Sequence, residues 1–346
     1  MPAKITKSLV FVVGAGASLD FGKSMPIGPE LALRVEAALN EEFRPDPSGL
    51  GPIKRALKRS TVGLRPEHHD AADAIRDSLG FSSSIDNLLN GWTDVPETAL
   101  VAKLAIADQI LRGEHDSDIG ATGYADNETA RRRIAALKDN WLHYIVRHIG
   151  GTRHERNVED NFRDVAFIVF NYDRCIEQYL YWAFQMAGGL TPARAAKAVR
   201  AIPIVHAYGQ LGSLPYDQPN RRAVAFGAKD RLSVSIANQI RTYTEEARDQ
   251  KLLRSIQTLA IGADKIVFLG FAYHRQNLDL LFPKGIGPID CKVWGTAMHV
   301  SAPTMQTVQQ IFRGTSSNPG ARLEETAGCT TLLSRFHDQI FAPINA

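Results

Sequence analysis

Several side chains able to hold a sugar or move a proton stand directly after apolar runs. Asn171 and Asp173 lie in Phe170-Asn-Tyr-Asp173 behind Val165-Ala-Phe-Ile-Val, and His206 follows Ile202-Pro-Ile-Val205. An amide offers a donor and an acceptor without ionising, so Asn171 could hold a hydroxyl or a water molecule in place. An imidazole with a pKa near 6.5 can take a proton from water or a sugar hydroxyl at cellular pH, which makes His206 a candidate acid–base group. Asp173 could assist the histidine, contact a ligand or cap the helix that follows. At the front of the chain Leu9-Val-Phe-Val-Val runs straight into Gly14-Ala-Gly-Ala-Ser18. Gly14 and Gly16 lack the Cβ atoms that would keep a backbone away from a pyrophosphate, so this loop reads as nucleotide-binding.

Two common forms of such a loop fit poorly. A dinucleotide fingerprint needs a third glycine, where Leu19 stands, and an acid about 20 positions further on at the end of a second strand. The acid available, Glu36, falls in a stretch whose Leu31, Val35 and Leu39 recur at helical spacing. A P-loop is nearer, because Gly22-Lys-Ser24 follows Gly16, but one residue too many intervenes. Met25-Pro-Ile-Gly-Pro29 also keeps the lysine and serine from opening a helix.

The third form rests on an ordered set of segments: Gly14-Ala-Gly-Ala-Ser18 with Pro26-Ile-Gly28, then Phe170-Asn-Tyr-Asp173, then His206, then Leu269-Gly-Phe271. Over roughly residues 9 to 300 this set resembles the sirtuin superfamily, and more narrowly the zinc-free sirtuin-like NAD hydrolases of bacterial antiphage defence. The resemblance implies that NAD+ is the substrate and that Gly14, Ala15, Gly16, Ala17 and Ser18 bind it. It makes Asn171 and His206 catalytic, with Asp173 contacting nicotinamide or assisting the histidine. Gly270 and Phe271 would pack near the adenosine ribose, and Asn277 would cap a helix or reach the adenine. Asp86 and Asn87 would approach the cleft or cap a helix. The implied reaction cleaves the nicotinamide–ribose bond to give nicotinamide and ADP-ribose or a cyclic relative, depleting NAD+ in abortive infection. The implied partners are further copies of the chain in a homo-oligomer, and an ATPase of the HerA translocase type or another phage sensor. Sirtuins that deacylate peptides carry a four-cysteine zinc module, and this sequence has no Cys-x-x-Cys. A deacylase or ADP-ribosyltransferase is therefore the alternative, followed by a non-catalytic module that binds NAD+ or ADP-ribose.

The chain's 346 residues exceed one ordinary domain. The expectation is an α/β fold, a Rossmann-like parallel sheet with an inserted helical subdomain and no zinc module. Its core is assigned to residues 1–43 and 160–346, and a helical insertion or lid to 44–159. Hydrophobic residues at 44% and charged residues at 22%, with no long apolar run or secretory signal, suggest a cytoplasmic protein away from membranes. A net charge of +3 is too small to argue for nucleic-acid binding, and Arg131-Arg-Arg133 reads as a solvated helix face. Cys175, Cys291 and Cys329 are odd in number and widely spaced, which suits neither a disulfide framework nor zinc. His68-His69-Asp70 is polar and local, and adjacent histidines on one element point apart, so no metal is expected there either.

Helices are expected near 29–43, over Glu97–Leu111 and Glu128–Ile149, after a start signal at Ser84, after Asp173, near 302–313, and within a C-terminal segment 328–342. Residues 44–80 read as a loop with at most a short helix. Strands at 9–13, 165–170, 202–205, 265–269 and 291–294 should bring their carboxyl ends to one edge, where open parallel sheets bind ligands.

Overall fold

The computed structural model describes residues 8–44, 49–81, 85–92, 94–123, 127–149, 158–217, 223–242, 245, 249–286, 289–312 and 320–342. Its centre is a six-stranded sheet, with every pair parallel, in the order β3-β2-β1-β4-β5-β6. The strands are β1 (Leu9–Val13), β2 (Val165–Val169), β3 (Ile204–His206), β4 (Lys265–Leu269), β5 (Lys292–Thr296) and β6 (Ala321–Glu324). This is the doubly wound Rossmann order, whose chain direction across the sheet reverses beside β1. β1, β2 and β4 are buried along their whole length, as apolar runs covered on both faces must be.

Alternation along the strands divides the interior into two apolar clusters. Val10, Val12, Ala166, Ile168, Ile266 and Phe268 face one of them. Covering that face are α1 (Gly28–Glu42), α2 (Pro52–Arg59), α3 (Glu67–Leu79), α4 (Ile85–Gly91) and α5 (Pro96–Asp116), with helices from the second half of the chain. Phe11, Val13, Phe167, Val169, Val267 and Leu269 face the other cluster. Ala130 and Ile134 of α6 (Asn127–Ala136) lie in it with side chains of α7 (Trp141–Ile149), α8 (Cys175–Met186) and α9 (Pro192–Ala201). The remaining helices are α10 (Gln250–Ile261), α11 (Arg275–Leu281), α12 (Ala302–Ile311), α13 (Cys329–Arg335) and α14 (His337–Phe341), with single turns elsewhere. Helices from residues 52–116 thus share one continuous core with the sheet.

Several expectations are corrected. Residues 44–80 hold two helices, the short α2 and the longer α3, where a loop with a short helix was expected; Pro52 at the first turn of α2 and the Glu42 carboxylate, which accepts from the Ile53 and Lys54 amides, start a helix there. The single helix expected over Glu128–Ile149 is two. Asn140 breaks it: its Oδ1 accepts from the amides of Leu142 (2.7 Å) and His143 (3.4 Å), capping α7. Strand β6, unforeseen, pairs with β5 at the sheet's edge. The helix signal at Ser84 and the side chain of Asp86 lie outside the described residues. No helix among the described residues is long and apolar enough to cross a membrane.

Candidate active site at the carboxyl ends of the strands

The turn after β1 closes against the turn after β4. The Gly14 amide donates to Leu269 O (2.9 Å) and the Gly16 amide to Gly270 O (3.0 Å). A Cβ on Gly14 would stand 2.5 Å from Gly270 O and 2.7 Å from Phe271 Cα, and one on Gly270, at φ +56°, would overlap the Ala17 amide nitrogen. The glycines therefore have a physical reason other than the expected one: two strand-end turns pack backbone to backbone. The Ala17 amide is also used, donating to Gly14 O at 3.0 Å.

Asn171 and Asp173 meet this loop from the end of β2. The Asn171 amide nitrogen donates to Gly14 O (3.1 Å) and to Ser18 Oγ (2.8 Å), and the Ser18 hydroxyl donates to Asp173 Oδ2 (2.8 Å). Because a carbonyl can only accept, Gly14 fixes which end of the Asn171 amide is nitrogen. Its Oδ1 is left buried without a hydrogen-bond partner among the described residues. Asp173 Oδ1 accepts from the Cys175 amide (3.1 Å), so Asp173 both starts α8, one residue ahead of the formal cap position Arg174, and receives Ser18. Burial, then the Asp173 charge, pushes the Cys175 thiol well above its usual value, leaving it unreactive.

β3 brings His206 alongside, its register pairing Val169 with His206. Both ring nitrogens are engaged: Nδ1 lies 2.9 Å from Asn171 O and Nε2 lies 2.8 Å from Glu177 Oε1. Burial by itself would disfavour the imidazolium, but the Glu177 charge and hydrogen bond outweigh it, with help from the Asn171 carbonyl and Asp173, so the pKa of His206 is raised above 6.5. Ser18, Asn171, Asp173 and His206 are 4%, 6%, 6% and 8% exposed, which places all four beneath the surface.

On the β4 side Phe271 is buried, edge-on to Phe170 with ring centres 5.0 Å apart. Asn277 does not cap a helix. It lies inside the first turn of α11, and its Oδ1 accepts from the Tyr208 hydroxyl at 2.6 Å. His68 and His69 serve separate packing roles. The first accepts from the Arg65 amide through Nδ1 (3.0 Å), and the second sets its ring edge-on to Phe43.

Three features of the site were not foreseen. Glu177 is one; an isolated acid in the apolar stretch Cys175-Ile-Glu-Gln-Tyr179 was the available signal. The second is a fully buried pair, Arg174 with Glu114 of α5, joined through Nη2–Oε2 at 2.6 Å and Nε–Oε1 at 3.0 Å. Arg174 also donates to Val224 O (2.6 Å) and Gly212 O (3.4 Å), so one guanidinium ties α5 and the site turn to Gly212 and Val224. The third is the buried Trp141, whose Nε1 donates to Ala17 O at 2.9 Å.

No protein-family model and no curated protein matches this chain. The chemistry therefore has to be argued from the arrangement itself. An amide with a free buried acceptor, an imidazole held against its backbone and a carboxylate linked to it through Ser18 stand together at the strand ends where doubly wound sheets hold nucleotides.

Proposed function

We propose that the chain is an NAD+ glycohydrolase that cleaves the nicotinamide–ribose bond with water, releasing nicotinamide, ADP-ribose and a proton. The observation that carries this reading is the buried Asn171 Oδ1, unpaired among the described residues, on a side chain whose nitrogen is pinned by Gly14 O and Ser18 Oγ. An unpaired buried acceptor is costly, and a hydroxyl donor from ribose or water would satisfy it. Cleavage passes through an oxocarbenium-like transition state, which is helped by a fixed amide orienting a hydroxyl and by nearby negative charge. Asn171 suits the first task and Asp173 the second, and His206 is the group to accept the proton. The ordered resemblance to zinc-free sirtuin-like NAD hydrolases points the same way.

In this reading the glycine-rich turn bounds the site on the adenosine side with Gly270 and Phe271, and the helices between β1 and β2 act as a lid. The closeness of Gly14 and Gly16 to Gly270 leaves their amides committed and the Ser18 hydroxyl is held between Asn171 and Asp173, so half-buried Ala15 is the loop's remaining point of contact. Depletion of NAD+ during phage infection, in the cytoplasm and with a separate sensor chain, follows from the resemblance and is part of the proposal.

The test is incubation of the full chain with NAD+ and chromatography for nicotinamide, with Asn171→Ala and His206→Ala in parallel. Release that both substitutions abolish, with the fold intact, is expected. Wild-type binding of NAD+ without release, with or without a peptide acceptor, would replace the hydrolase by a binding module. Release only when an acyl-peptide or protein acceptor is present would replace it by a transferase or deacylase.

A further inference from the structure

We infer that Glu177 is a positioning residue for His206, anchoring Nε2 so that Nδ1 is the nitrogen offered to the reacting group beside Asn171. The inference rests on His206 being the proton acceptor of the proposed hydrolysis, and it assigns the two ring nitrogens different tasks.

The geometry separates them. Nε2 meets a side-chain carboxylate, Glu177 Oε1 at 2.8 Å, on a helix that begins four residues beyond Asn171; Nδ1 meets a backbone carbonyl, Asn171 O at 2.9 Å. A backbone carbonyl accepts only, so Nδ1 carries a hydrogen in this arrangement, and an ionised Glu177 makes Nε2 a donor as well. A ring so held is an imidazolium. To act as a base it must lose one proton, and the two contacts differ in how readily they part. The carboxylate contact is charge-assisted and buried, with the side chains of His206 and Glu177 5% and 15% exposed. The carbonyl contact is neutral on the acceptor side and is the weaker of the two, so it is the one that parts first. Release of the Nδ1 proton to bulk water, with Nδ1 parting from Asn171 O, leaves a neutral ring whose Nε2–H still donates to Glu177 and whose lone pair is on Nδ1. Return of that proton needs no co-reactant, since hydrolysis itself supplies it. A base oriented by a third group through its far nitrogen is a recurring catalytic arrangement.

The surroundings of the pair favour this division. The charged and titratable groups around it include Asp173, Arg174 and Cys175 at the start of α8, Arg200 from α9, and Tyr216 and Asp217 from the segment after β3. Arg200 and Asp217 pair with each other at 3.9 Å, and the Tyr216 hydroxyl donates to Glu177 O (2.8 Å) rather than to its carboxylate. Glu177 Oε2 is buried without a partner among the described residues, and Glu177 lines a cavity of about 220 Å³ with Gln210 and Leu214. None of these groups competes for Oε1, so the carboxylate is free to hold Nε2.

Glu177→Gln is the test, because glutamine keeps the acceptor and the shape while removing the charge. With histidine labelled in the ring nitrogens of the full chain, and His206 assigned by His206→Ala, NMR titration should place the wild-type ring above pH 6.5 and the variant ring lower. Added ADP-ribose should move the Nδ1 signal and leave Nε2 in place. In turnover, kcat for nicotinamide release should fall about tenfold with KM changed less than about twofold, and the acid limb of the pH profile should shift to lower pH. Identical titrations, an ADP-ribose response at Nε2, or a loss confined to KM would each overturn the inference. A purely structural role would lower Tm without moving the pH profile. If the wild type released no nicotinamide, the hydrolase reading would fall, while the titration and the ADP-ribose response would still decide the division of the two nitrogens.

Discussion

Breaking the buried Arg174–Glu114 pair should be among the most damaging changes available, and its two halves should fail differently. Both side chains are essentially removed from water, 0% exposed as residues. Glu114 accepts from Arg174 N, Nε and Nη2 and from the Gly227 amide. Glu114→Gln leaves a guanidinium with only carbonyl partners in the interior, and Arg174→Met leaves a carboxylate with only backbone amides. Removing one member of such a pair costs about 3–5 kcal/mol, a large share of the roughly 5–15 kcal/mol that holds a protein folded. With about 2 cal/mol/K of unfolding entropy per residue, 346 residues give roughly 0.7 kcal/mol/K, so Tm should fall by about 4–7 °C for either variant. The pH dependence separates them. An arginine cannot shed its proton, so the Glu114→Gln deficit should persist as pH is lowered. In Arg174→Met the stranded glutamate has its pKa raised, so its cost is present above that raised value and is relieved as pH falls through it. Calorimetry of both variants and of the double variant, from pH 5 to 8, reads all of this. Single deficits under about 1 kcal/mol, or deficits that simply add in the double variant, would refute the account.

Gly270→Ala should destabilise by more than the about 1–2 kcal/mol that a left-handed residue costs, because φ is +56° and the new methyl would overlap the Ala17 amide. Gly285→Ala, at φ +86° with no atom of the described residues within 4 Å of its Cβ position, is the control and should show the conformational cost alone. Asp108 is 1% exposed with Oδ1 lacking a partner among the described residues, and burial raises its pKa against the opposing pull of Arg112. Asp108→Asn should therefore gain on the order of 1 kcal/mol at neutral pH in urea unfolding, a gain that disappears as pH falls through the raised carboxyl value. Trp141→Phe keeps the aromatic packing on Phe21 but removes the bond to Ala17 O, so it should cost about 1 kcal/mol and lower nicotinamide release more than its small Tm change accounts for.

The sheet was legible because burial on both faces writes itself as unbroken apolar runs: Leu9–Val13, Val165–Val169 and Lys265–Leu269 could hardly be anything else. β6, reading Ala-Arg-Leu-Glu, was illegible for the converse reason, since an edge strand buries little and carries no such run. The candidate residues at strand ends were singled out by position, and the structure brings Asn171, Asp173, Ser18 and His206 together. Their connections were beyond sequence. Glu177, Glu114 and Trp141 each bring a polar group into an apolar surrounding, and which neighbour that group meets is decided by packing between elements 29 to 124 residues apart. Asn140 shows the opposite failure, a local cap signal overridden by the apolar periodicity on both sides of it.

The glycine-rich turn has a structural cause of its own beside the one its sequence suggests. Gly14 and Gly16 are required, yet what they admit is the backbone of Gly270 and Phe271. The turn is consequently fixed from three directions: β4 through Leu269 O and Gly270 O, β2 through Asn171, and α7 through Trp141. Each tie ends within four residues of Ser18, whose hydroxyl links Asn171 to Asp173. Placement of the candidate catalytic amide is thus a property of three separate elements of the fold. A substitution that loosens any one of them should be felt at Asn171 before it is felt in global stability, because the turn takes its order from these separate elements.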